Sequence, residues 1–543
     1  MACVVCDKST EIDFYGLPPS CSVAHGEICS ACIEAQRLET MISTAKAQIV
    51  EAHRGLADLQ SRYREIRTQL NRSHNALILK LPPEISSYIF QLAVPRDGGA
   101  SQSTLFKKVG PPLVLAAVSR EWRQLAFSNP QLWTTISVCL DSPKLQNYAD
   151  CIRSWLERSG GLPLTIHVYE SDHYYLDTAT NPSVLTPAVK SVVKEINKHS
   201  SRWQHLDVRF PARLLSMFTG TDPSPLLKSL RVEATDARIF DAKFKLRHKA
   251  NPSHVILSRI SLKNITIKWA YVTQVELADV YIDDCFEFLK LAPNLKYCIL
   301  SEVSAEEEST PSTPPPVIVH RVLRDLKFDN FDDPESAEAN QLFGRLSCPA
   351  LQRLNINMND DPLPIEALSA FMKRSSCSLK ELRIRDSSFD DGELIEFLKE
   401  VPTLVKLDVL PHIDSQHEPS NLLRHLAETA VPVGPTDSGE ESRPSLLPNL
   451  QFFRYLADEK KDVPWELLSR VFGPLSEITN PLRRPLHSVH IHLSRRETSR
   501  IPSQIGKDVL LDLILLKEPG LDLQVKSDAL NIDVISYFQD KYY

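Results

Sequence analysis

A short apolar phrase returns at intervals through the C-terminal two thirds of the chain, and its recurrence limits the fold more than any other feature. It reads Pro225-Leu226-Leu227-Lys228-Ser229-Leu230-Arg231-Val232, Pro293-Asn294-Leu295-Lys296-Tyr297-Cys298-Ile299-Leu300 and Pro349-Ala350-Leu351-Gln352-Arg353-Leu354-Asn355-Ile356. Ser378-Leu379-Lys380-Glu381-Leu382-Arg383-Ile384, Pro402-Thr403-Leu404-Val405-Lys406-Leu407-Asp408-Val409 and Pro448-Asn449-Leu450-Gln451-Phe452-Phe453 continue the series. Most have leucines three apart followed by Ile or Val, with an aromatic in the second leucine's place in two of them. Amphipathic helical stretches separate several phrases, clearest in Glu393 to Glu400, which leads directly into the next one. The closest pair of phrases lies 25 residues apart, at Leu379 and Leu404; other intervals are longer. A strand and a helix of that length cannot bury an apolar face alone, so each unit must stack on its neighbour.

The L-x-x-L-x-[IV] outline resembles the strand of a leucine-rich repeat. The resemblance implies an irregular α/β leucine-rich-repeat-like solenoid over residues 138–500, with a parallel sheet inside a curve, helices outside and a surface for binding a target. A non-solenoid α/β domain is the other arrangement the uneven period allows. Residues 501–543 are read as a C-terminal tail or cap. Residues 302–316 and 431–446 are acidic, rich in Pro, Ser and Thr and poor in large apolar side chains, and are expected to be disordered loops.

Nearer the N-terminus, apolar residues run Leu38, Ile42, Ala45, Ile49, Ala52, Leu56, Leu59, Tyr63, Ile66 and Leu70, in unbroken steps of four and three. That is the coiled-coil period, with Glu39, Lys46, Glu51, Arg54, Arg62, Arg64 and Glu65 in outer positions. Residues 34–78 are accordingly read as a coiled coil, weakened by Gly55 and by small Ala45 and Ala52 on the seam. Residues 38–70 either form a homodimer or zip to another helix, or fold back on the neighbouring domain of the same chain. Periodicity does not choose between them.

After this helix comes Leu81-Pro82-Pro83-Glu84-Ile85, then Ile89-Phe90. Pro83 and Glu84 suit a first helical turn, and Ile85, Tyr88, Ile89 and Leu92 share one face. A hydrophilic insert at 95–112 follows. The pattern resumes with Val118-Ser119-Arg120-Glu121-Trp122-Arg123-Gln124-Leu125-Ala126 and closes on Pro130-Gln131-Leu132-Trp133. This string over residues 79–137 resembles the F-box family. The resemblance implies an α-helical domain in which Leu81, Pro82, Ile85, Ile89, Phe90, Leu113 and Val118 face the Skp subunit of a ubiquitin ligase, while Trp122, Leu125 and Trp133 complete a small core. So few short helices cannot bury this many large apolar residues internally, and the surplus calls for a partner. The heptads leading into this string are similar to those of a large fungal family of F-box proteins.

Five of the 11 cysteines lie in the first 32 residues. Cys3/Cys6 and Cys29/Cys32 are two Cys-x-x-Cys pairs with 22 residues between them, a spacing compatible with one structural zinc held by four thiolates in a knuckle over residues 1–33. With Cys21 and His25 the segment resembles the first six ligands of a RING finger, but no further Cys-x-x-Cys follows to complete a second site. A tail with free thiols is the alternative.

The formal charge of −7 over 543 residues supplies no basic field for nucleic acid or an acidic membrane, so neither is expected as a partner. The N-terminus lacks the charged and apolar regions of a signal peptide, which leads to an expected cytoplasmic and/or nuclear location. No phosphate-binding loop, dinucleotide fingerprint, His-Glu-x-x-His string or nucleophile elbow is found. His487, His490 and His492 lie on an alternating strand and are read as surface residues rather than a metal site. Asp386 to Gly392 is similar in outline to a calcium loop but out of register, and is read as a turn capping the next helix. Together these readings describe a multidomain chain: an α-helical F-box preceded by a coiled-coil helix and followed by the α/β repeat region. They imply a non-catalytic substrate-recognition adaptor of an SCF-type (Skp-cullin-F-box) ubiquitin ligase, binding the Skp subunit, through it a cullin, and an unknown protein substrate. The rivals are an oligomeric scaffold outside any ligase and a RING-like ligase acting through the knuckle.

Overall fold

Strand, turn and helix alternate because the apolar period alternates between two and 3.6 residues. The computed structural model describes residues 30–74, 81–94, 111–139, 145–170, 182–235, 242–305, 316–330, 337–412, 420–431, 445–458, 464–474, 480, 482–494, 505–516, 520–527 and 532–542. The chain divides into two compact units, Met1–Leu92 with Leu113–Ala126, and Ala93–Pro112 with Phe127–Tyr543.

In the first unit, Ser30–His74 forms one 45-residue helix, α1. The residues assigned separately to a knuckle and a coiled coil, from Ser30 onward, are thus one continuous element. Three shorter helices follow, α2 (Pro83–Ala93), α3 (Pro111–Val118) and α4 (Arg120–Ser128), each of them running across the boundary between the units.

The second unit is built on strands β1 (Thr135–Cys139), β2 (Leu164–Tyr169), β3 (Trp203–Phe210), β4 (Ser229–Ala234), β5 (His254–Ser258), β6 (Gln274–Tyr281), β7 (Tyr297–Ser304), β8 (Ile318–Val319), β9 (Asp325–Asp329), β10 (Leu346–Ser347), β11 (Arg353–Asn357), β12 (Glu381–Arg385), β13 (Lys406–Leu410), β14 (Phe452–Asp458), β15 (Ser488–Ser494), β16 (Asp522–Ser527) and β17 (Ile532–Asp533). Fifteen of them form one sheet in the order of the chain; β8 and β10 make a separate parallel pair. Every ladder in the large sheet is parallel except β16 with β17. Parallel neighbours require a crossover, and α5 (Leu145–Arg158), α6 (Pro182–Asn197), α7 (Ala212–Leu215), α8 (Ile282–Leu291), α9 (Ala337–Arg345), α10 (Ile365–Ser375), α11 (Asp391–Lys399), α12 (Ser420–Glu428), α13 (Trp465–Arg470) and α14 (Lys507–Leu515) lie in these connections. A final helix, α15 (Val534–Tyr542), ends the described chain.

All six recurring phrases run into strands, and the positions at the leucine spacing are buried: Leu379, Leu382 and Ile384 in one, Leu404, Leu407 and Val409 in the next. The register pairs like with like, Leu354 beside Leu382 beside Leu407 beside Phe453. The phrase at Leu295 is a correction: its inward residues are Cys298 and Leu300, whereas Tyr297 is exposed. Only Phe453 is an aromatic in the second leucine's place.

Residues 501–543, read as a tail or cap, supply α14, β16, β17 and α15, because Leu523 and Val525 continue the buried rows of Val489 and Ile491. The expected loop at 302–316 begins inside β7, whose last residues are Glu302 to Ser304. The loop at 431–446 ends with Leu446 buried. The parts expected to be disordered, 306–315 and 432–444, lie outside the described residues.

Where one helix ends, a basic side chain from a later part of the chain satisfies its free carbonyls. Arg202 Nε donates to the Leu162 carbonyl at 2.9 Å, and Arg374 Nε to that of Leu346 at 2.9 Å, just beyond the ends of α5 and α9. Arg484 reaches the carbonyls of Leu426 (2.7 Å) and Thr429 (3.0 Å) at the end of α12, and that of Leu446 (3.0 Å). A cation suits this end of a helix, and the fork of a guanidinium matches several carbonyls at once.

Glu195 on α6 is a buried carboxylate that receives Lys198 Nζ at 2.8 Å and Arg153 of α5 at 3.3 Å. Burial alone raises its pKa, but the hydrogen bonds from Lys198 and Arg153 and their charges outweigh it and hold the group below its ordinary 4.5. A carboxylate depressed in this way stabilises the fold above its unfolded pKa, and the stabilisation is lost as pH falls through the lower folded value. Thermal stability is therefore expected to drop on acidification below 4.5, and Glu195→Gln to remove part of that dependence. Melting curves across this range check it; an unchanged slope in the Gln variant contradicts the assignment.

Candidate protein-binding site

Two prolines launch α2. The N–H groups of Ile85 and Ser86 both donate to the Pro82 carbonyl at 3.1 Å, and Pro83 occupies the first helical position, where no N–H is needed. Along this helix Phe90 turns inward at 2% exposure, its ring centroid 4.7 Å from that of Trp122 on α4. The remaining apolar residues face out: Ile85 (47%), Tyr88 (56%), Ile89 (38%) and Leu92 (66%), spaced i, i+3, i+4, i+7 along one stripe. Leu113, Val114 and Val118 on α3 are also exposed.

The Val118-to-Ala126 string has local tasks. Ser119 caps α4, its hydroxyl oxygen accepting from the Trp122 N–H at 3.2 Å and its hydroxyl donating to Glu121 at 3.0 Å. Arg123 Nε donates to the Ala116 carbonyl at 2.9 Å and ties α4 to the end of α3. These polar residues hold the helices so that the apolar stripe stays out of the interior.

Of the residues assigned to the Skp contact, Ile85, Ile89, Leu113 and Val118 are exposed apolar side chains, Pro82 is exposed and Leu81 half-buried. Phe90 is the correction: the ring of Trp122 takes it into the core. Tyr88, Leu92 and Val114 complete the exposed set, and the helical spacing that marks Ile85 and Ile89 marks the first two as well. Trp122 and Leu125 are half-buried in the first unit. Trp133 belongs to the second, fully buried 4.7 Å from the ring of Trp155 and 5.6 Å from that of Phe127, which Arg158 covers.

The F-box-like family model matches residues 78–139. The chain carries an F-box-like domain. No curated protein matches the chain. The exposed stripe of α2 and α3 lies wholly within the F-box-like segment, whose last part, from Phe127 onward, is integrated in the second unit through Trp133 and β1.

The other sites singled out in the sequence divide differently. Cys3, Cys6 and Cys29 lie outside the described residues, and so does the side chain of Cys32 on α1. Among the described residues no group of three or more His, Cys, Asp or Glu is arranged to hold a metal ion, and no helix is long and apolar enough to cross a membrane. His490 is a partner of Asp522, 2.7 Å away, and sits edge-on to Phe452. Asp390 caps α11, accepting from the N–H groups of Gly392 (2.8 Å) and Glu393 (3.1 Å). A Cβ on Gly392 would stand 3.0 Å from that carboxylate, so a larger residue there would press on the cap.

Between the buried positions of each strand, alternate residues form the sheet's opposite face, which is polar. Asp207 accepts from His167 and Arg209, and Arg383 Nε donates to Asp408 at 2.7 Å. Arg353 pairs with Asp325 one strand away. Cross-strand pairs of this kind join β2 to β4, β9 to β11, β12 to β13 and β15 to β16, and Ile256, Ile299 and Phe452 are apolar interruptions of the face.

Proposed function

We propose that this chain is the substrate-recognition adaptor of an SCF-type ubiquitin ligase. The F-box-like helices dock onto the Skp subunit and through it onto a cullin, and the second unit, an irregular leucine-rich-repeat-like solenoid, meets a target protein on its polar sheet face. The observation that carries the reading is the stripe Ile85, Tyr88, Ile89, Leu92 standing exposed within the segment that matches the F-box-like family. Covering the exposed half of one such side chain gains ~1 kcal/mol, so the exposed set on α2 and α3 supplies a useful interface core. The adaptor performs no covalent step; it raises the local concentration of target lysines near the charged conjugating enzyme.

The full chain, purified with the Skp subunit and a cullin, is expected to co-elute with both. A chain that elutes alone at micromolar concentration of each partner rejects the adaptor and favours a scaffold. Within the same proposal, Cys3, Cys6, Cys29 and Cys32 hold one structural zinc, supported by the two Cys-x-x-Cys pairs. Metal analysis of the purified chain is expected to give about one zinc per chain, as four thiolates require, and none after Cys3→Ser/Cys6→Ser. Equal zinc in both sinks the assignment.

A further inference from the structure

Every described side chain of α1 is exposed, including the whole apolar seam from Leu38 to Leu70. A 45-residue helix whose apolar seam stands exposed to solvent is incomplete by itself. We infer that α1 pairs antiparallel with α1 of a second copy of this chain, in the register that sets Leu38 opposite Leu70.

Size complementarity selects this arrangement. In that register Ile42 meets Ile66, and Ile49 meets Leu59 of the second copy, while the two small seam residues each face a large one: Ala45 opposite Tyr63 and Ala52 opposite Leu56. A parallel, in-register pair would instead set Ala45 on Ala45 and Ala52 on Ala52, leaving two hollow layers, and crowd Tyr63 against Tyr63.

Charge selects the same arrangement. The seam is flanked by Glu34 and Glu39 near the N-terminal end and by Arg62 and Arg67 near the C-terminal end. Parallel helices bring each flanking residue beside the one five positions on in the partner, so Glu34 would meet Glu39 and Arg62 would meet Arg67, like charges in both cases. Antiparallel helices bring Glu39 beside Arg67 of the second copy, twice by symmetry. Within one chain Arg67 is already held over the Tyr63 ring, 5.8 Å from its centroid.

Pairing of α1 goes beyond the adaptor reading and does not rest on it. Where both hold, the two His74 ends, which lead into the F-box-like segments, stand about 60 Å apart along the paired axis, roughly 40 residues at 1.5 Å each.

The test uses the full chain in sedimentation velocity over a concentration series. The wild type is expected to be a dimer. Glu39→Lys alone, and Arg67→Glu alone, should each weaken the dimer by about tenfold, since both symmetric pairs turn from attraction to repulsion. The double variant in one chain, or an equimolar mixture of the two single variants, should restore it. Parallel pairing makes the opposite forecast: the ammonium introduced by Glu39→Lys would then face Glu34, and the carboxylate introduced by Arg67→Glu would face Arg62. Single variants that tighten the dimer therefore overturn the inference. A monomeric wild type at micromolar concentration overturns it too, whether α1 folds back or pairs with a different protein.

Discussion

Exchanging Ile85 and Ile89 together for aspartate is expected to weaken binding of the Skp subunit by at least about a hundredfold without lowering the melting temperature. Both side chains are exposed in the free chain, so two carboxylates there cost the fold little. In a desolvated interface they have no partner, and an unpaired buried charge costs several kcal/mol. Phe90→Asp is the informative contrast. Its side chain packs on Trp122 inside the domain, so that variant should lose both binding and the domain's own stability. Titration calorimetry with the purified Skp subunit, beside melting curves, separates the two. If the double variant binds as the wild type does, the stripe on α2 is not the contact and the adaptor reading falls.

The second large effect is expected at Arg484, which is 1% exposed and donates to the carbonyls of Leu426, Thr429 and Leu446 and to the Thr429 hydroxyl. Burial pulls its pKa down to about 10, so it stays charged at neutral pH. Arg484→Leu leaves the buried carbonyls of Leu426 and Leu446 without a donor, a loss of ~2 kcal/mol or more, while the Thr429 carbonyl keeps the Ser445 hydroxyl at 2.8 Å. Arg484→Lys should rescue only part of it, since an ammonium cannot span acceptors set for a planar fork. Arg202→Leu and Arg374→Leu, at partly exposed sites where water can replace the guanidinium, should cost less. Urea unfolding followed by circular dichroism ranks the four variants. Equal destabilisation at all three arginines contradicts the burial argument.

Why some of this is legible in the linear chain and some is not follows from the range of the forces involved. The phrases ending in Ile384 and Val409 announce their strands because leucines and β-branched residues alternate within six positions. Strands whose first buried residue is not leucine carry the same spacing less visibly: Trp203-x-x-Leu206-x-Val208, Val272-x-x-Val275-x-Leu277 and Trp133-x-x-Ile136-x-Val138 are buried in the same way. A pattern that admits any large apolar residue in the first place finds them. The motif's end at Trp133 points to the F-box core, yet Trp155, 22 residues on, draws that ring into the second unit. Adjacency to Ile89 points Phe90 to the interface, but its neighbour in space is Trp122, and the intervening residues give no hint of that contact.

Local order is therefore enough to establish the parts: the long heptad helix, the proline-led helix of the F-box-like segment, the repeated strand phrase and the cap of α11 by Asp390. Each depends on side chains within about one or two turns of one another, where spacing along the chain equals spacing in three dimensions. Packing over longer distances chose the rest. It joined fifteen strands in chain order into one sheet, carried that sheet on through residues 501–543, turned Phe90 inward and Ile85 outward, and placed Arg484 on the end of a helix more than fifty residues earlier. Such contacts depend on which surfaces meet when the units stack, and a periodicity shows that a residue has an apolar neighbour without showing which one.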